Sequence, residues 1–200
     1  MDASEQAETI LGRGRGGMVC AFFGGLWLGV GLALAGKFSP WVIVAFSGCC
    51  LGLFAGSLFL ILRGRRLRPK NSARPERYAA VRKQFMWVVI AEVVACAAVA
   101  WACSALNRGD LIPVGIAAIV GLHFLPLGRV FRTPEYYVGG SAIAIWCAVS
   151  CVLFRGDKMD ISVGIGTGAV LWLTGAYGLI SSRALLSSAS SEPLSAALPK

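Results

Sequence analysis

The sequence is poor in charge and has almost no histidine. Of its 200 residues only 14% are Asp, Glu, Lys or Arg, and a single residue is His. A soluble domain carries about 25% charged residues, so this chain has roughly half the charge needed to coat its own surface. With 56% hydrophobic residues and a mean hydropathy of +0.70, that shortage excludes an ordinary soluble domain, a disordered chain and a coiled coil. Strings for nucleotide and hydrolytic chemistry are missing too: there is no G-x-x-x-x-G-K-[ST], no H-E-x-x-H and no G-x-S-x-G. A lone His with no second ligand argues against a metal site. No nucleophile–base pair supports an intramembrane enzyme. The expectation is therefore a non-enzymatic chain with no cofactor and no metal.

What remains is apolar length. A spanning helix needs about 20 mostly apolar residues, and six blocks qualify: 18–36, 41–62, 85–106, 111–127, 136–154 and 161–182. Barrel strands would alternate apolar and polar residues, and runs such as 87–102 show no such alternation. Helices satisfy their own backbone groups in hydrocarbon, so the fold class is an all-α, polytopic membrane helix bundle. Ser39-Pro40 suits a helix start. Asn107-Arg108-Gly109-Asp110 and Arg155–Asp160 are short polar turns, and Lys37-Phe38-Ser39 joins blocks one and two. The chain thus reads as three helical hairpins. An N-terminal segment (1–17) precedes the six-helix domain (18–182), a basic loop (63–84) lies within it, and a Ser/Ala/Pro-rich tail (183–200) follows, expected to be disordered.

Orientation follows from basic residues counted by side. Arg13, Arg15, nine residues between Arg63 and Lys83, Arg129, Arg132, Arg183 and Lys200 make 15 on the side of the termini; Lys37, Arg108, Arg155 and Lys158 make 4 on the other. Both termini are expected in the cytoplasm, and the localisation expected is a bacterial plasma membrane. The net charge of +9 is then mainly a topology signal, and no nucleic-acid partner is expected. A competing reading of the first block is a signal peptide cut near Ala33-Leu34-Ala35, which would leave five spans.

All seven cysteines lie within the blocks, none in a C-x-x-C pair, and read as small packable residues; a Cys103–Cys151 disulfide is conceivable by position. Small residues four apart let helices approach closely in lipid. Block one carries Gly17, Ala21, Gly25, Gly29 and Ala33; block two carries Gly48, Gly52 and Gly56. The simplest expectation is that these two helices pack face to face. The alternative is a homo-oligomer through Gly25, Gly29, Gly48, Gly52 and Gly56. A faint echo of Val114–Ala117 and Leu122 in Val163–Gly166 and Leu171 suggests hairpin duplication.

Ionisable residues inside a span are a functional hypothesis by default, and there are two, Glu92 and His123. The third and fourth blocks form a hairpin centred near residue 108.5, so residues at one depth sum to about 217 at a uniform helical rise; Glu92 and His123 sum to 215. Pro126 leaves the carbonyl of Leu122 without its helical donor. Tyr177, Ser57 and Ser141 lie at similar depth, and Arg129 lies near the end. The expectation is a pocket open to the cytoplasm, around Glu92 and His123 with Tyr177 in its wall and Arg129 at its rim. Two roles compete for the pair: a structural lock, or a proton- or ligand-handling element of a small transporter or channel.

The string Gly121-Leu122-His123-Phe124-Leu125-Pro126-Leu127-Gly128-Arg129, followed by Phe131-Arg132-Thr133-Pro134-Glu135-Tyr136-Tyr137, resembles the G-L-H-F-L-P-L-x-R-x-F-x-x-P-x-Y-Y signature of small uncharacterised bacterial multi-span membrane proteins. The resemblance covers 17 residues, 121–137. It implies that His123, Pro126 and Arg129 form the core of that family's role, and it brings no activity with it.

The loop Arg63–Lys83 carries nine basic residues against Glu76. Contact with anionic lipid headgroups is the favoured reading, at about 1 kcal/mol per basic residue near the surface; an acidic partner is the other. Tyr78, Val81 and Phe85 recur at helical spacing after Pro75, so the third helix is expected to begin early, as an amphipathic segment along the headgroups.

Overall fold

A computed structural model describes residues 3–67, 76–131 and 133–195. Six helices account for nearly all of them: α1 (Ala3–Leu34), α2 (Pro40–Leu67), α3 (Glu76–Ala105), α4 (Ile112–Phe131), α5 (Pro134–Leu153) and α6 (Asp157–Ser195), with a single 3-10 turn, Gly109–Leu111, before α4. All six contain a stretch long and apolar enough to cross a membrane, so the chain is an integral membrane protein built from helices. The face carrying both chain ends is the terminal face, and the opposite one, with the turns of α1–α2, α3–α4 and α5–α6, is the hairpin face.

The helices outrun the apolar blocks. The first begins 15 residues before Met18, because Ala7, Ile10 and Leu11 are buried there and Gln6 Nε2 donates to the Leu185 carbonyl on α6. The last continues to Ser195, so the tail expected to be disordered is helical from Arg183 to Ser195; residues 196–200 lie outside the described residues. The third begins at Glu76, as the spacing of Tyr78, Val81 and Phe85 anticipates, while residues 68–75 and Arg132 lie outside the described residues. Pro126 sits inside α4, which continues through it to Phe131.

Each hairpin packs on itself, but the most extensive interface joins α1 to α6. Side by side, the order is α2, α1, α6, α5, α4, α3, and α6 also touches α2 and α4. Glycine explains the α1–α6 match: a Cβ on Gly164 would lie 2.9 Å from the Gly31 Cα, and one on Gly168 would lie 2.5 Å from the Leu28 nitrogen. Gly24 makes room for the Trp172 indole, whose Nε1 donates to the Ala21 carbonyl at 3.2 Å.

The expected pairing of the first two helices is present, with Gly17, Gly25 and Gly29 of the first at the contact and the Gly48–Gly52–Gly56 row of the second away from it. Gly25 faces Cys50, Gly29 faces Phe46, Gly17 faces Ser57, and Gly64 of α2 faces Leu11 and the Ala7 carbonyl. Gly48 and Gly52 meet nothing and Gly56 faces Leu179 of α6, so the two glycine rows do not interdigitate. All seven cysteines are free thiols. The echo between blocks four and six does not extend to burial: Leu171 is 1% exposed and Leu122 is 54% exposed.

The core lies among α1, α4, α5 and α6, with Val114, Ala117, Phe124, Ile143, Cys147, Val163 and Leu171 buried together. The most apolar stretch of α3 has no buried residue. This helix packs on α4 and the 3-10 turn, at the edge of the bundle.

Candidate functional site

Two polar clusters form, joined through one corner of the chain. The first is the anticipated pair. Near-equal depth on antiparallel neighbours brings His123 Nδ1 within 3.3 Å of Glu92 Oε2. Their side chains are 10% and 23% exposed. Nδ1 has no hydrogen bond, and the backbone of Val88, one turn before Glu92, is another polar group against the ring. The pair is thus an electrostatic contact between α3 and α4.

The wider pocket does not form around it. Tyr177 is 58% exposed on the outer face of α6, beside Leu173 and Ile180. Ser57 is fully buried between α1 and α2, and Ser141 is exposed. Arg129 is exposed and lines an open surface hollow with Gly128, Pro134 and Tyr137. Equal depth puts these residues at one level without turning them toward one another, because depth says nothing about helical phase.

The second cluster was hidden by its position at the helix ends. Glu135, in the first turn of α5, is 8% exposed, and Arg13 Nε of α1 approaches its Oε1 to 3.4 Å. That oxygen has no hydrogen bond. Tyr136, 9% exposed, lays its hydroxyl against Gly16, where any larger residue would collide with it. With Cys20, Thr133, Thr174, Gly175 and Gly178 they enclose a void of about 10 Å³, room for about one water. A carboxylate in a first helical turn also lies at the positive end of the helix dipole. In sequence Arg13 reads as a topology charge and Glu135 as a loop residue. The available signal was an acid directly after an N1 proline, where the chain re-enters the bundle.

The corner that links the clusters is the quoted string 121–137. Gly121 and Gly140 let α4 and α5 touch backbone to backbone, with a Cβ on Gly121 falling 2.9 Å from the Gly140 carbonyl oxygen. Gly128 lies under the Tyr137 ring. Phe124 stacks edge-on with Tyr136, ring centroids 5.4 Å apart, and Phe131 bridges Tyr136 to Phe85 of α3. Thr133 caps α5 with extended backbone ahead of Pro134. The spacing therefore encodes a tight helix–corner–helix in which His123 points to α3 and Tyr136 points to α1.

On the hairpin face, Arg108 pairs with Asp110 at 3.2 Å, a hydrogen bond that raises the guanidinium above its ordinary pKa. No group of three or more metal-ligating side chains gathers among the described residues. Comparison with family models, curated proteins and solved structures gives no match.

Proposed function

We propose that this chain is a non-enzymatic bundle of the bacterial plasma membrane, with both termini in the cytoplasm, whose role is to bind or stabilise a component within the bilayer. In this reading the Glu92–His123 pair is a polar clasp that fastens the edge helix α3 to α4. The observation that supports it is the 3.3 Å contact between exactly one acid and one imidazole, with Tyr177, Ser57 and Ser141 turned elsewhere. A carboxylate in hydrocarbon must be protonated, wetted or paired, and pairing answers that need without further chemistry. Arg65 and Arg66 end α2, where anionic headgroups would meet them. Any self-association through glycines narrows to Gly48 and Gly52, whose faces are open.

The second reading is a small proton-coupled transporter or channel using the same pair, and the 23% exposure of the Glu92 side chain favours it. A flux assay in proteoliposomes separates the two. Glu92→Gln and His123→Ala should leave ion flux unchanged and lower thermal stability in detergent. Flux abolished by both substitutions would overturn the clasp reading in favour of transport.

A further inference from the structure

Buried polar side chains are unevenly placed in this bundle. Of the six recorded among the described residues, Ser57 is on α2, and Glu135, Ser150, Thr167, Thr174 and Ser182 are on α5 and α6. The seam between these two helices repeats in antiparallel register. Ser150 Oγ meets Ser162 Oγ at 2.9 Å; Cys147 faces Thr167; Gly139 faces Thr174; Glu135 and Gly178 line the same void. The residue numbers of each pair sum to 312–314, so these are successive rungs of one ladder. By that register Ile143 and Leu171 stand at one level between the Thr167 and Thr174 rungs, and they are 0% and 1% exposed.

Two polar atoms on this seam are buried without a hydrogen bond: Glu135 Oε1 at the terminal face, which has only the Arg13 ion pair, and Thr167 Oγ1 in the interior; Asp160 Oδ1, also without one, lies in the first turn of α6 at the hairpin face, with Asp157 and Asp110 as its charged neighbours. Thr167 is fully buried, and the Cys147 thiol, a weak hydrogen-bonding group, lies against it. Orphaned groups of this kind in a membrane interior call for water or a mobile proton, since each costs free energy if left dry. From Asp160 to Gly178, opposite Glu135, is 18 residues, about 27 Å at 1.5 Å per residue, close to the ~30 Å of a hydrocarbon core.

We propose that the α5–α6 seam is a proton-permeation route, with Glu135 and Asp160 as its two proton-exchanging mouths and Thr167 and the Ser150–Ser162 pair as interior stations. Ile143 and Leu171 form a dry constriction that closes it in this conformation. A carboxylate takes a proton from water at its own face. Hydroxyls and intervening waters pass it on, each accepting one proton on oxygen and releasing its own, and the far carboxylate gives it up; no heavy-atom bond changes and nothing is oxidised or reduced. The proton fits better than a metal cation because the void at Glu135 has room for about one water and not for a hydrated metal ion. Hydrophobic constrictions of this type gate by excluding water.

The route is separate from Glu92 and His123, and its test can fail while the clasp stands. The full chain is reconstituted into vesicles containing a pH-sensitive dye, and proton entry is driven by a potassium diffusion potential. Leu171→Ala should raise proton flux over wild type by at least about tenfold, by wetting the constriction, with Ile143→Ala opening the same level from α5 as a second variant. In that opened background Thr167→Val, Asp160→Asn and Glu135→Gln should each return flux toward the level of protein-free vesicles. The outward-facing Tyr177→Phe should not. Thr167→Val is nearly isosteric, so its effect does not depend on whether the Glu135 variant folds; monodispersity is checked for each. The proposal is overturned if both opened variants match protein-free vesicles, if their flux ignores all three polar substitutions, or if sodium passes as readily as protons.

Discussion

Gly164 of α6 and Gly31 of α1 meet backbone to backbone, so close that a Cβ on either would come within 3 Å of the other helix. In lipid this closeness is itself the attraction. Apolar side chains gain nothing by leaving acyl chains for one another, and helices associate through packing of small residues. A Gly164→Val substitution must push the two helices apart. Its expected cost is about 1–3 kcal/mol, the usual range for overpacking, seen as a lower unfolding temperature in detergent. Gly52→Val, on an open face of α2, should leave that temperature unchanged; equal losses at both positions would argue against α1–α6 as the principal interface.

A double-mutant cycle checks the clasp between α3 and α4. Polar contacts between membrane helices couple by about 0.6 kcal/mol on average and up to about 1.7. Glu92→Gln and His123→Ala should each destabilise, and the pair together should lose less than the sum of the singles by an amount in that range. Purely additive losses would mean that the 3.3 Å contact contributes no coupling.

Sequence reasoning reaches some of this architecture and stops for identifiable reasons. Six spans are legible because apolar length is a property of a segment alone. Glu92 and His123 are legible as neighbours because a tight turn fixes the register of the two helices it joins. Tyr177 misleads because register fixes a level and leaves the azimuth open: the inward face of α6 runs through Val163, Thr167, Leu171 and Thr174, and Tyr177 shares the opposite one with Leu173 and Ile180. The choice of partner for α1 is equally hidden. Its glycines lie on two faces, Gly25 and Gly29 toward α2 and Gly24 and Gly31 toward α6, and a count of four-residue spacings finds only the first. Arg13 and Glu135 escape notice because hydropathy ends the membrane segments before the helices themselves end.

The Arg13–Glu135 pair gives a third expectation. Removing one partner of a buried ion pair leaves the other charge uncompensated, at a cost of about 3–5 kcal/mol. Arg13 retains 20% side-chain exposure and Glu135 only 6%, so the carboxylate is the charge left stranded. Arg13→Gln should therefore approach the low end, about 3 kcal/mol. Glu135→Gln should cost less, since the guanidinium can still reach water. Thermal unfolding of the two variants and of the double variant measures this; a larger loss for Glu135→Gln than for Arg13→Gln would reverse the assignment.

Orientation yields the last expectation, because the 15-to-4 imbalance of basic residues can be tested at positions of known exposure. Arg66, at the end of α2, and Arg155, in the α5–α6 turn, are both exposed, on opposite faces of the bundle. A chain inserted by the positive-inside rule keeps Arg66 in the cytoplasm and carries Arg155 across. In a background without the seven native cysteines, Arg155→Cys should react in intact cells with a membrane-impermeant maleimide, and Arg66→Cys should react only after the membrane is opened. The reverse pattern would invert the topology and put Glu135 at the outer mouth of the α5–α6 seam. Labelling of both sites from outside would mean that α3, α4 and α5 do not cross as an odd set between them. Since α3 is the least buried of the three, that result would single it out as the helix lying along the surface.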